Sequence, residues 1–156
     1  MGNSYSNLNS NSNSSNLSNN IASLNRIDFA EMQKAIKSNV IIINTLETQR
    51  QQCLIHNTIS AEREIDVINE LIEQNRKSIK IIVYGENSSD LSIIKKYEQL
   101  WNLGFRNIYM YIGGLFEWLL LQDIFGDAEF PTTTKINNIL IYGLSNKLLI
   151  KHNSIS

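Results

Sequence analysis

Residues 79–114 read IKIIVYGENSSDLSIIKKYEQLWNLGFRNIYMYIGG. The stretch opens with Ile79–Tyr84 and closes with Asn107–Ile112, two runs rich in β-branched and aromatic residues that are typical of buried strands. Between them, five apolar residues recur at helical spacing and are predicted to face the core: Leu91, Ile94, Tyr97, Leu100 and Trp101. Gly104 supplies the end of this helix. The stretch therefore predicts a strand, a helix and a second strand.

The chain before this unit repeats the alternation. Val40–Ile43 is a β-branched run that is apolar on both faces, which indicates another buried strand. Ser60 is predicted to cap a helix that follows it, and the apolar residues of this helix are Ile65, Ile68, Leu71 and Ile72. Further upstream, Asp28 and Glu31 form a capping box, which predicts a short helix ending near Lys37.

The chain after the unit continues with the turn Gly113-Gly114 and the very apolar segment Leu115–Leu121, which predicts a buried helix. Strands that alternate with helices are parallel and are joined by right-handed crossovers. The fold class predicted is therefore α/β, as a single domain with a mostly parallel central sheet and helices on both of its faces.

The two ends of the chain differ from its middle. Asn or Ser occupies 15 of the first 20 positions, and residues 1–25 carry no charged side chain, which predicts a disordered tether. Residues 26–134 form the predicted domain, and residues 135–156 form a tail. This tail either folds back on the domain or becomes ordered on a partner, and its apolar residues are Ile136, Ile139, Leu140, Leu144 and Leu148.

Composition excludes several classes of function. With 14 basic and 15 acidic residues, the net charge of -1 gives no electrostatic reason to expect nucleic-acid binding. Cys53 is the only cysteine, so the chain has no internal disulfide, and His56 and His152 leave no cluster with zinc-ligand spacing. We therefore expect no metal and no cofactor. No apolar run approaches the roughly 18 residues that a spanning helix requires.

The loop after Tyr84 is the candidate site, because sites in parallel sheets form where loops leave the carboxyl ends of the strands. It comprises Gly85, Glu86, Asn87, Ser88, Ser89 and Asp90. The loop carries two acids and neither lysine nor arginine. Its field is therefore expected to repel anionic ligands such as a phosphate.

Three segments resemble the rhodanese-like domains in order and spacing. Leu103–Tyr109, followed by Gly113-Gly114 and Trp118, resembles the helix end, last core strand, double-glycine turn and tryptophan of that family. Val40–Thr45 resembles its early strand, and Leu54–Ile59 looks like a diverged form of its His-Ile-Pro-Gly-Ala-Ile segment. The resemblance spans about residues 26–126.

The resemblance also implies a loss of activity. In rhodanese-like enzymes a cysteine directly follows the central strand, and its thiolate attacks the sulfur donor and holds the transferred sulfur. That position is Gly85 here, and glycine can do neither. The early turn, Asn44-Thr45-Leu46, departs as well, since the family tends to have Asp and Arg there. These departures predict a pseudoenzyme that serves as a protein-binding or scaffolding module.

Two alternatives keep a nucleophile. Cys53 is either a packing residue or the relocated nucleophile of a diverged sulfurtransferase or phosphatase-like enzyme, with His56 three residues away. Ser88 and Ser89 could act as nucleophiles, but the simpler prediction is that one of them caps the next helix. A third possibility for the whole chain is a structural component of a larger assembly.

The amino terminus, Met1-Gly2-Asn3-Ser4-Tyr5-Ser6, satisfies the N-myristoylation motif, in which Gly2 becomes the acylated residue. The competing interpretation is that Ser6 is one more serine of a serine-rich tract. A single myristoyl chain binds membranes only marginally, with an association constant on the order of 10⁴ M⁻¹, so a protein partner would have to supply the second contact. We therefore expect a peripheral protein on the cytoplasmic side of a membrane if Gly2 is acylated, and a cytoplasmic protein otherwise.

Overall fold

The computed structural model describes residues 24–143, and four parallel strands form one sheet at its centre. They are β1 (Arg26–Ile27), β2 (Ile41–Asn44), β3 (Ile81–Tyr84) and β4 (Ile108–Tyr111), and they lie in the order β1-β4-β3-β2. The three predicted strands and their parallel pairing are confirmed. The two-residue strand β1, which pairs with β4 at the sheet edge, was not predicted, because a run this short has no recognisable period.

Four α-helices connect or follow the strands. They are α1 (Phe29–Ala35), α2 (Ala61–Glu73), α3 (Ser92–Asn102) and α4 (Gly114–Phe125). Two short 3₁₀ helices, Thr48–Arg50 and Ile139–Tyr142, lie in the connection after β2 and near the end of the described chain.

The sheet separates two apolar layers. On one face, Ile42 and Ile82 pack with Met32 of α1 and Trp118 of α4. On the other face, Ile43 and Val83 pack with Leu71 of α2 and Leu100 of α3, among other residues. Neighbouring residues of one strand thus point to opposite faces and are buried on both, which explains why β3 is apolar throughout and β2 is apolar up to its last residue, Asn44. The predicted helices on both faces are confirmed.

The helix ends follow local rules in part. The Asp28 carboxylate accepts a hydrogen bond from the Glu31 amide at 2.9 Å, which confirms the predicted cap of α1. Gly104 adopts a positive φ of 99° directly after α3, as its predicted role in ending the helix requires. Ser60 lies at the N-cap position of α2, but its side chain makes no capping hydrogen bond, so that part of the prediction is wrong.

Several residues predicted to face the core are exposed instead. Ile65 and Leu91 are each 70% exposed, and Trp101 is 42% exposed. The helical period of these segments is right, but the buried stripe on α3 is centred on Ile93, Tyr97 and Leu100. Trp101 stacks on Tyr97, with the Arg106 guanidinium 4.1 Å from its ring centroid. The outer half of α4 is also more exposed than its composition predicts.

The predictions for both chain ends fall largely outside the described residues. The structure does not describe residues 1–23, which include Gly2 and most of the predicted tether. It also does not describe residues 144–156 of the tail. Asn25 already belongs to the fold, because its carbonyl accepts a 2.8 Å hydrogen bond from the Met110 amide. In the described part of the tail, Ile136, Ile139 and Ile141 pack against the core and Tyr142 is fully buried. As far as residue 143, the tail therefore folds back on the domain.

Candidate functional site

The candidate loop begins where two central strands end side by side. Asn44, the last residue of β2, is paired in register with Tyr84, the last residue of β3. The Thr45 amide donates to the Tyr84 carbonyl at 3.0 Å, so the two chains separate only after this point. The loops that begin at Thr45 and Gly85 therefore form opposite sides of one cleft, as the predicted topology requires.

The amino terminus of α4 is hydrogen-bonded to the backbone of the loop. The amides of Leu115 and Phe116 donate to the carbonyls of Gly85 and Glu86 at 3.0 and 2.9 Å. These amides belong to the first turn of a helix and have no partner within it, so the loop carbonyls complete their hydrogen bonding. Gly114 adopts a φ of 65°, and a Cβ atom there would lie 2.6 Å from the Gly85 carbonyl oxygen. The double glycine thus permits the helix to approach the loop backbone.

The interior of the loop holds the Asp90 carboxylate. Its Oδ2 atom accepts a hydrogen bond from the Glu86 amide at 2.9 Å, and its Oδ1 atom accepts from the amide and hydroxyl of Ser92 at 2.9 and 2.6 Å. A Cβ atom at Gly85 would lie 2.5 Å from Oδ2. The Asp90 side chain therefore occupies the space that any side chain at position 85 would enter.

This arrangement corrects the predicted role of the loop serines. The N-cap position of α3 is Leu91, so neither Ser88 nor Ser89 caps the helix. Asp90 instead binds the backbone at Ser92, and the Asn87 side-chain oxygen accepts from the Ser89 amide at 3.0 Å. These short-range contacts fix the shape of the loop.

The described end of the chain lies against the outer side of the loop. The Arg50 guanidinium donates both to the Glu86 carboxylate and to the Ile141 carbonyl, and lies 5.3 Å from the centroid of the Tyr142 ring. The Asn87 amide group donates to the Tyr142 carbonyl at 2.9 Å, and the Tyr142 hydroxyl donates to the Arg50 carbonyl at 3.1 Å. Burial raises the pKa of Tyr142. Arg50 and Tyr142 were not predicted as site residues, because the sequence gives no period that links them to the loop.

An open cleft of about 550 Å³ remains beside these contacts. It is lined by Thr45, Leu46, Glu47, Arg50, Glu86, Asn87, Ser89, Asp90, Ser92 and Gly143. Three carboxylates and one guanidinium face it, so the lining carries a net negative charge. Among residues 24–143, no group of three or more His, Cys, Asp or Glu side chains could hold a metal ion.

The two remaining candidates, Cys53 and His56, lie in different surroundings. Cys53 is fully buried, and its thiol donates to the Thr134 carbonyl at 3.3 Å. His56 is exposed, and its backbone amide is bound to the Pro131 carbonyl. Free cysteine in such surroundings acts as a small apolar residue. The Cys-His pairing raised by the sequence thus finds no support in the geometry.

The segment around residues 54–59 has a structural role. The buried Tyr84 hydroxyl accepts a hydrogen bond from the Ile55 amide at 3.1 Å and lies 2.8 Å from the Thr58 hydroxyl. The Ile59 amide then donates to the Ile42 carbonyl on β2. Burial is the main cause that raises the pKa of Tyr84. The phenol therefore stays neutral and fixes this segment to the sheet beneath the site.

Comparison with known proteins gives the family. Residues 19–121 match the model of the rhodanese-like domain family, and since this is more than half of the chain, the chain belongs to that family. The resemblance found in the sequence is thereby confirmed. No curated protein matches this chain.

Solved structures share the fold at low sequence identity. A crystal structure of the Alr3790 protein from Anabaena sp. is 18% identical, covers 74% of this chain and 96% of its own, and superposes with a TM-score of 0.52. Ygr203w, described as a yeast protein tyrosine phosphatase of the rhodanese family, is 13% identical, with coverages of 72% and 94% and a TM-score of 0.52. These likenesses establish the fold alone. None of the helices in residues 24–143 is long and apolar enough to cross a membrane.

Proposed function

We propose that this chain is a non-enzymatic rhodanese-like protein, which serves as a binding or scaffolding module and is tethered to a membrane through a myristoyl group on Gly2. The observation that carries the proposal is the Asp90 carboxylate, which fills the loop beside Gly85. A sulfurtransferase needs a thiolate and an anion-binding space at this place. In this chain position 85 is glycine and provides no thiol, and the Asp90 carboxylate fills the space beside it.

The alternative enzyme would have to use Cys53. A nucleophilic cysteine is accessible and lies in surroundings that favour the thiolate. Cys53 has zero exposure, and its thiol is held in a hydrogen bond to the Thr134 carbonyl, so a substrate has no access to it. The geometry therefore supports the packing role and gives no specific reason to retain the enzymatic alternative.

The test for activity uses thiosulfate and cyanide as substrates of sulfur transfer, and an aryl phosphate for phosphatase activity. We expect no turnover with either, and no persulfide on Cys53 after incubation with thiosulfate. Turnover that disappears in Cys53→Ala would overturn the non-enzymatic proposal.

We further propose that the partner presents a basic segment to the cleft. Glu47, Glu86 and Asp90 face the cleft against Arg50 alone, and Arg50 is already engaged with Glu86. A cationic segment would be attracted to this lining, whereas an anionic one would be repelled. Glu47→Lys should weaken binding of a partner recovered with the wild-type chain. Glu62→Lys, an equal charge reversal on the exposed surface of α2, is the control and should leave that binding intact.

The membrane tether is tested separately. The intact mass of the chain should increase by one myristoyl group when an N-myristoyltransferase is co-expressed, and Gly2→Ala should abolish both this increase and flotation with liposomes. An unchanged mass would remove the tether and leave the binding module without a membrane location.

A further inference from the structure

An apolar stripe lies along α4 and becomes more exposed towards the carboxyl end of the helix. It consists of Phe116, Leu120 and Ile124, which are spaced four residues apart and so lie on one face of the helix. Phe116 is partly buried against the core, whereas Leu120 is 39% and Ile124 70% exposed. Within residues 24–143, then, only the first turn of the stripe is substantially covered. A contiguous exposed stripe of this kind indicates a contact surface.

The described chain ends at the covered end of this stripe. The 3₁₀ helix Ile139–Tyr142 packs on α4, and a Cβ atom at Gly143 would lie 3.5 Å from the Phe116 ring. The Asn87 side chain holds the Tyr142 carbonyl at 2.9 Å, which fixes the point from which the chain continues. The described chain therefore ends next to Phe116, one helical turn from Leu120.

The next residues suit the stripe in length and in character. Residues 144–150 read LSNKLLI, in which four of the seven side chains are large and aliphatic. The stripe from Phe116 to Ile124 is about 12 Å long at 1.5 Å per residue. Seven residues span roughly 10 Å as a helix and up to roughly 24 Å when extended. An extended segment can therefore reach from Phe116 past Ile124, whereas a helical one ends about 2 Å short of it.

Charge favours the same pairing. Residues 144–156 contain Lys147 and Lys151 and no acidic residue. Helix α4 contains Glu117 and Asp123 and neither lysine nor arginine. Opposite charges at the edge of an apolar contact favour its formation and its register.

From these observations we infer that residues 144–150 bind the stripe Phe116, Leu120 and Ile124 of the same chain. The apolar side chains of the segment cover Leu120 and Ile124, and the tail continues the course that the 3₁₀ helix Ile139–Tyr142 has begun. The tail is then part of the domain and is not free to bind a separate partner. This inference does not depend on the function proposed for the loop.

Methyl NMR of the full chain tests the inference. Nuclear Overhauser contacts are expected between the Ile124 methyl group and leucine methyl groups of residues 144–150. The variant Leu148→Asp/Leu149→Asp should abolish these contacts and shift the Ile124 resonance. Ile65 on α2 is the matched control, because it is also 70% exposed and lies on the other face of the sheet. Its resonance should not change, which also shows that the variant remains folded.

Two outcomes would overturn the inference. An Ile124 resonance without contacts to the tail, and unchanged in the variant, would show that the stripe is free. Contacts seen only between differently labelled chains in a mixed sample would show that a second copy covers the stripe.

Discussion

At the scale of single residues, the site is defined by the Asp90 side chain, which occupies the space that a side chain at position 85 would need. Glycine at position 85 leaves a volume beside the loop backbone, and the Asp90 carboxylate fills it while accepting three hydrogen bonds. Hydrogen bonds to a carboxylate are stronger than those between neutral groups, so this arrangement stabilises the loop. Adding a side chain at position 85 must displace a residue that is already well bound.

Gly85→Cys therefore should not create a sulfurtransferase. The new Cβ atom would lie 2.5 Å from Asp90 Oδ2, so the carboxylate must move and lose its contact with the Glu86 amide. We expect a loss of about 2 kcal/mol in the free energy of unfolding, measured by urea denaturation, and no thiosulfate:cyanide activity. Gly85→Ala is the control and should lose a similar amount. Turnover by Gly85→Cys would contradict the claim that Asp90 blocks the site.

The two most deeply buried tyrosine hydroxyls of the sheet have different surroundings. Tyr84 binds the Ile55 amide and Thr58, whereas the Tyr111 hydroxyl lies near the Glu117 carboxylate but makes no hydrogen bond of normal geometry to any described residue. Tyr84→Phe should lower the free energy of unfolding by about 2 kcal/mol, since it leaves a buried amide unpaired. Tyr111→Phe should raise it by about 1 kcal/mol, since it removes an unpaired polar atom. Equal effects of the two substitutions in urea denaturation would refute this distinction.

Alkaline pH should unfold the protein through the same residues. Burial, followed by the nearby Glu117 carboxylate, raises the pKa of Tyr111, and burial raises that of Tyr84. A phenol with a raised pKa in the folded state stabilises the fold fully below its unfolded pKa of about 10, and this contribution is lost as pH rises above it. The free energy of unfolding should thus decline above about pH 10. In Tyr84→Phe/Tyr111→Phe this decline should be shallower, and an identical pH profile would show that other groups cause it.

At the scale of secondary structure, the double glycine joins α4 to the loop. Gly114→Ala would place a Cβ atom 2.6 Å from the Gly85 carbonyl oxygen, at a φ of 65°. Gly126, just after α4, also has a positive φ, at 95°, but nothing lies within 4 Å of its Cβ position. With a ψ of 161° Gly126 lies in a region that only glycine adopts readily, so Gly126→Ala should cost backbone strain alone, about 2 kcal/mol, and Gly114→Ala, which adds the clash with the loop backbone, should cost more by thermal denaturation. Similar losses would mean that the contact with the loop carries little energy.

The helices and strands could be predicted where they depend on neighbouring residues, but not where they depend on contacts with distant parts of the chain. The apolar runs of β2, β3 and β4 and the helical periods of α2 and α3 are local patterns, and the structure confirms them. Local patterns do not determine which side of a helix meets the sheet most closely. Ile65, Leu91 and Trp101 fit the apolar period, yet all three are exposed, and Leu91 lies at the N-cap position before α3 begins.

The site could be predicted in position but not in its contacts. The loop from Gly85 to Asp90 follows from the parallel sheet alone. The role of Asp90 depends on the empty volume at Gly85, and that of Arg50 on a carbonyl 91 residues further along the chain. No periodic pattern encodes such long-range pairs, so these contacts became visible only in the folded structure.

At the scale of the whole molecule, the described end of the chain is bound to the site from outside. Arg50 joins the Glu86 carboxylate, the Ile141 carbonyl and the Tyr142 ring, three groups that belong to the loop and to the terminal segment. The remaining ion pair among the described residues, Lys96 with Glu64, joins α2 and α3 on the other face of the sheet. The two pairs thus stabilise different parts of the molecule.

Arg50→Met should therefore release residues 139–143, whereas Lys96→Met should not. The ion-pair side chains are comparably exposed, at 29% and 24% for Arg50 and Glu86 against 21% and 19% for Lys96 and Glu64, so solvent screens them similarly. Each substitution should cost about 1 kcal/mol of global stability. Only Arg50→Met should accelerate amide hydrogen exchange at Ile141 and Gly143, because it removes the donor to the Ile141 carbonyl and the cation over Tyr142. If both variants accelerated exchange there equally, the segment would depend on global stability, and Arg50 would not be the residue that fastens it to the loop.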